Sequence, residues 1–131
     1  MRIFIEVAEA ARRQNDHVAL TIFVNPAQFA PHEDLASYPR TLQADLNRIA
    51  QLPLGTVSAV LVPQVNEIYP NGIELDVEKQ VGAFVEIKGL SHQLEGGTRP
   101  HFFRGVATVV SKFFNIVREF IHWLYHWMLM Y

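Results

Sequence analysis

Two short β-branched runs bracket a helical pattern, and this arrangement limits the possible folds most. Val18–Val24 reads VALTIFV, with Thr21 its one polar residue, between Asn15-Asp16 and Asn25-Pro26. A run so short, apolar and branched predicts a buried strand. Val57–Val62 is a second such run, ended by Pro63. Between them lies Tyr38-Pro39-Arg40-Thr41, then Leu42, Leu46, Ile49 and Ala50 at helical spacing. Proline near the first turn suits a helix start. Strand, helix, strand in about 45 residues predicts a βαβ unit, and with it an α/β class, a parallel sheet and a right-handed crossover.

Other elements follow from the same periodicities. Ile3, Val7, Ala10 and Ala11 predict a helix over residues 3–14, with no capping residue before it. Asn71-Gly72 predicts a turn, and Ala83–Ile87 a short strand. Gly89–Gly97 predicts one or two helical turns closed by Gly96-Gly97. Phe102–Val117 predicts a helix whose apolar stripe is Val106, Val109, Val110, Phe113 and Val117. Residues 113–131 hold 7 of the 15 aromatics, both tryptophans and two of the three methionines, with only Arg118 and Glu119 charged. They predict a C-terminal amphipathic helix, and residues 118–131 are read as a segment apart from residues 1–117.

Charge and composition exclude several functions. Eleven basic against thirteen acidic side chains leave −2, which gives no sign of nucleic-acid affinity. With no cysteine there is no disulfide framework, thiolate metal site or thiol nucleophile. Arg118, Glu119, His122 and His126 interrupt the longest apolar stretch before it reaches a membrane span of ~20 residues. Glu6, Glu9, Arg12 and Arg13 come too early for a signal peptide. The expectation is a soluble cytoplasmic protein.

Chemistry is expected where the first run ends, because ligands of open α/β sheets bind beyond the carboxyl ends of the strands. Asn25 and Gln28 offer amides there that both donate and accept, with Pro26 fixing the backbone between them. The same residues also suit a local Asn-Pro turn. Arg99 and Arg104 precede and open the last helix, where they can meet a phosphate or carboxylate, or form a surface ion pair with Glu95 or another carboxylate. Glu119, His122 and His126 share a helical face but lack a further ligand, so no metal site is expected. No Gly-rich nucleotide loop and no G-x-S-x-G elbow occurs.

The segment Phe23-Val24-Asn25-Pro26-Ala27-Gln28-Phe29, then Glu33-Asp34-Leu35 and Tyr38-Pro39-Arg40-Thr41-Leu42, resembles the pantothenate synthetase (pantoate–β-alanine ligase) family. Glu67-Ile68-Tyr69-Pro70-Asn71-Gly72, Gly89-Leu90-Ser91, Leu94-Glu95-Gly96, Thr98-Arg99-Pro100 and Phe103-Arg104-Gly105-Val106-Ala107-Thr108-Val109-Val110 continue the match in family order. Phe102-Phe103 and Gly82-Ala83-Phe84-Val85 lean toward the fungal branch.

The resemblance implies a Rossmann-like parallel sheet of the nucleotidyltransferase superfamily, a homodimer, and a ligase using ATP and Mg. Pantoate is adenylated with release of pyrophosphate, and β-alanine then displaces AMP to give pantothenate. It also implies that Gln28 contacts pantoate and β-alanine and that Asn25 supports it in the same pocket. The family's His-x-Gly-His element and its later lysine-bearing nucleotide loops have no counterpart here, so the chain is expected to be truncated at both ends, to lack a catalytic residue and to be inactive alone. The alternative is a non-catalytic interaction protein that uses the apolar tail. Self-association is expected in either case.

Overall fold

The computed structural model describes residues 2–29, 41–74, 76–89, 94–99 and 101–117, in two compact units. The first comprises the described residues up to Phe23 and those from Thr41 to Val62. It begins with helix α1 (Arg2–Arg12), on the spacing of Val7, Ala10 and Ala11, and Ala8 is buried. Strand β1 (Ala19–Thr21) pairs in parallel with β2 (Ala59–Leu61), Leu20 standing opposite Val60. Helix α2 (Leu42–Ile49) lies between them in sequence, as a βαβ unit requires. The Ile22 amide and the Val18 carbonyl extend the pairing beyond the strand ends, to Leu61 O at 2.9 Å and from the Ser58 amide at 2.8 Å.

Both strands are shorter than their apolar runs, and they are not buried throughout. In β1, Leu20 is half-buried while Ala19 and Thr21 are exposed. A parallel strand is buried only where both faces are covered, and among the described residues the sheet has two strands.

The second unit holds Val24–Phe29 and the described residues from Pro63 onward. A 3-10 turn (Pro26–Gln28) packs against α4 (Phe102–Val117), the helix that supplies most of this unit's core through Phe102, Val106 and Val109. Helix α4 has the predicted bounds. Helix α3 (Val65–Ile68) is one turn long; Glu67 caps it by accepting from Gln64 N on Oε2 at 2.6 Å, and Glu67 N closes a backbone turn on the Gln64 carbonyl at 3.1 Å. The chain then turns through Tyr69–Gly72, closed by Gly72 N on Tyr69 O at 3.0 Å, with Gly72 at φ 77°. The predicted helical turn before α4 is a 3-10 segment, Leu94–Gly97.

Ala83–Ile87 is not a strand. Its Val85 amide donates to the Thr108 side-chain oxygen at 3.0 Å, so a helix hydroxyl takes the place of a ladder partner. The aromatic tail beyond Val117, with Glu119, His122 and His126, lies outside the described residues, as do Pro39 and Arg40. Among the described residues no helix is long and apolar enough to cross a membrane.

Candidate functional site

The loop after β1 is built around a buried amide. Asn25, 3% exposed, caps the 3-10 turn: its Oδ1 accepts from Ala27 N at 3.3 Å, and Pro26 at the first position presets the turn's φ. The same Oδ1 accepts from the Tyr69 hydroxyl at 2.8 Å, and Nδ2 donates to Gly105 O at 3.3 Å. One side chain thus joins the loop to α4 and to the end of α3. Gln28, half-buried, closes the turn with its backbone N on Asn25 O at 3.4 Å. Its side-chain amide has no hydrogen-bond partner among the described residues, and both its donor and its acceptor are unpaired there.

Gly105 sets how closely the loop sits. A Cβ there would overlap the Ala27 carbonyl, 2.8 Å from its carbon, and stand 3.2 Å from Gln28 N. Only a residue without a side chain lets the helix and loop backbones approach this far.

Behind the loop, Tyr69 and helix α4 wall a cleft of about 260 Å³, together with residues 70–74 and 80–84. Lys112 Nζ donates to Ile68 O at 2.8 Å and lies 4.7 Å from the centre of the Tyr69 ring, a cation–π distance. Burial pushes the Tyr69 hydroxyl up from 10.0 to about 12, because the phenolate would be poorly solvated there.

The predicted residues separate. Asn25 and Gln28 share one turn. Arg104 faces the cleft wall: Nε and Nη2 donate to Gln80 Oε1 at 3.1 and 2.9 Å, Nη1 meets Glu86 Oε1 at 2.9 Å, and the guanidinium lies over Phe84. Its ion pair is thus with Glu86. Arg99 lies 5.7 Å from the Phe102 ring centre. Neither Tyr69 nor Lys112 stands out in the sequence as a site residue, although Tyr69 lies within a family motif. Their common signal, a tyrosine just after a capped helix and a lysine seven residues after a helix glycine, has meaning only once the fold brings them together.

Similarity to known proteins agrees with this architecture. A crystal structure of pantothenate synthetase from Thermus thermophilus superposes with a TM-score of 0.75 at 37% identity, covering 90% of this chain and 39% of that one. That likeness defines the class, an α/β segment of nucleotidyltransferase-like fold. A sequence model of the pantoate-beta-alanine ligase family matches residues 4–123, and the chain belongs to that family. Pantoate--beta-alanine ligase of Saccharomyces cerevisiae is 53% identical over 105 residues, 80% of this chain and 33% of that protein. Pantothenate synthetase of Moorella thermoacetica is 49% identical over 115 residues, 87% of this chain and 36% of that protein. The chain therefore spans about a third of the length of these relatives.

Proposed function

We propose that this chain carries one wall of a pantoate pocket, with Gln28 as its ligand-contacting group and Asn25 as the residue that seats it. The observation that supports this most is the contrast between the two amides. Asn25 is buried and bonded to three partners, whereas the Gln28 amide is left open beside it. Pantoate presents a carboxylate and two hydroxyls, and an amide with a free N–H and a free carbonyl matches both kinds of group. Family membership supports the following reaction for the intact protein. The pantoate carboxylate oxygen attacks the α-phosphorus of ATP, pyrophosphate leaves, and the β-alanine amine displaces AMP from the acyl carbon. In that sequence Gln28 orients the carboxylate and later the amine, a positioning role.

Among the described residues no three His, Asp or Glu side chains converge. Arg104 must first release Glu86 before it can meet an anion. We assign activation of pantoate to the parts of the family's sequence that this chain lacks, and we read the protein as cytoplasmic and self-associating.

Calorimetric titration with pantoate tests the reading. The expected Kd is about millimolar, near −4 kcal/mol, since only part of the pocket wall is present. Gln28→Ala should abolish the signal and leave the unfolding free energy measured in urea within about 0.5 kcal/mol, because the side chain contributes little to the core. Equal affinity in the variant would remove Gln28 from the site.

A further inference from the structure

We propose that Tyr69 is a positioning residue for the Gln28 loop, acting through Asn25 and itself held by Lys112. The functional meaning of this role rests on the pantoate reading above, but its structural content does not. Asn25 satisfies three groups at once, and they are not equal. Its contacts to Ala27 N and Gly105 O, both 3.3 Å, select the orientation of the amide, since a flip would set donor against donor and acceptor against acceptor. Both are long. The Tyr69 hydroxyl supplies the short bond, 2.8 Å, to the same Oδ1. Tyr69 and Asn25 are 7% and 3% exposed, so water is poorly placed to replace this bond.

Tyr69 is in turn fixed from two directions. Its backbone amide closes the capped turn of α3 on Val65 O at 2.8 Å. Its ring lies under Lys112, whose ammonium also donates to Ile68 O. Lys112 has no carboxylate partner among the described residues; it meets a carbonyl and a ring, both belonging to the Ile68–Tyr69 step. Gly105 and Lys112 are seven residues apart, about two turns, and so share a face of α4. One end of that face holds the loop through the Asn25 amide, and the other holds the tyrosine that bonds to that amide. Gln28 lies three residues beyond Asn25 in the same 3-10 turn, so loosening the amide loosens the group that meets the ligand.

The test uses the whole chain uniformly labelled with ¹⁵N, with two readouts. The first is hydrogen exchange of the Asn25 side-chain NH₂, which needs no ligand. The second is pantoate affinity. In Tyr69→Phe the Asn25 exchange should rise by about tenfold, the scale of one lost net hydrogen bond, with exchange at the Val106 and Val109 backbone amides unchanged. Pantoate binding should weaken by a similar factor. In an Asn25→Ala background the Tyr69→Phe change should add nothing further to the loss, because its effect passes through Asn25. Lys112→Met keeps the stem and the Tyr69 hydroxyl, and should raise Asn25 exchange by a smaller factor. It serves as the probe should Tyr69→Phe not fold. Unchanged Asn25 exchange in the folded variant would overturn the proposal, as would full additivity with Asn25→Ala. A wild-type chain that binds no pantoate while Asn25 exchange still responds to Tyr69→Phe would support the positioning and overturn the pantoate reading.

Discussion

A buried tyrosine hydroxyl is useful as a hydrogen-bond donor only while it keeps its proton, and Tyr69 is placed so that it does. Desolvation raises its pKa from 10.0 to about 12. In the unfolded chain the same group ionises near its ordinary value. Between those values the unfolded state has lost a proton that the folded state retains, so stability falls as pH rises. The contribution is fully present below pH 10 and is lost as pH climbs toward 12. Deprotonation also ends the bond to Asn25, because a phenolate accepts and cannot donate. Other tyrosines and the lysines titrate in this window, so the measurement is a difference: thermal midpoints of the wild type and of Tyr69→Phe from pH 9 to 12. The wild type should lose stability more steeply above pH 10. Parallel curves would mean that Tyr69 is not held neutral by the fold.

At the scale of elements, the site is a contact between a turn and a helix, and Gly105 is its closest point. Alanine normally stabilises a helix interior by about 1 kcal/mol relative to glycine. Here the added methyl meets the Ala27 backbone, which cannot rotate away as a side chain can. Overpacking of this kind costs about 1 to 3 kcal/mol, so Gly105→Ala is expected to be net destabilising and to weaken pantoate binding by displacing Gln28. Urea unfolding and the titration check the two effects, and a stabilised variant with intact binding would show that the turn does not rest on the helix. Elements of this kind were largely legible in the sequence. The stripe of α4 gave its bounds, and the loop after β1 was located from where an apolar run stops at Asn25-Pro26. The content of the site was less legible. Asn25 and Tyr69 are 44 residues apart and Asn25 and Gly105 are 80 apart, and no local periodicity encodes such pairings. Ala83–Ile87 misled because β-branched spacing reports a preference for extended backbone, whereas a strand also needs a neighbouring ladder. Its Val85 amide found the Thr108 hydroxyl instead.

For the whole molecule, two expectations follow from the reading above. On the proposal that pantoate activation belongs to other parts of the family's sequence, purified chain is expected to form no pantoate-dependent AMP from ATP, and turnover above blank in a coupled assay would contradict that. The other expectation concerns association. The last described turn of α4 already presents Ile116 and Val117 to solvent, 51% and 38% exposed. In the sequence that follows, residues 118–131, ten of fourteen are apolar and only Arg118 and Glu119 are charged. Proteins that remain monomeric rarely display a continuous apolar surface of more than a few hundred Å². A segment this rich in aromatic side chains is therefore expected to bring copies of the chain together, whichever family domain it accompanies. Trp123 and Trp127 are the only tryptophans, so intrinsic tryptophan emission reports on this segment alone. Sedimentation velocity should show concentration-dependent oligomers for residues 1–131 and a smaller species for residues 1–117, with tryptophan emission in the full chain shifting red on dilution as the oligomers dissociate. Pantoate affinity should be the same in both, since Asn25, Gln28 and the α4 residues that hold them are retained. A monodisperse full-length monomer with both tryptophans already buried would instead make residues 118–131 a selected part of the fold.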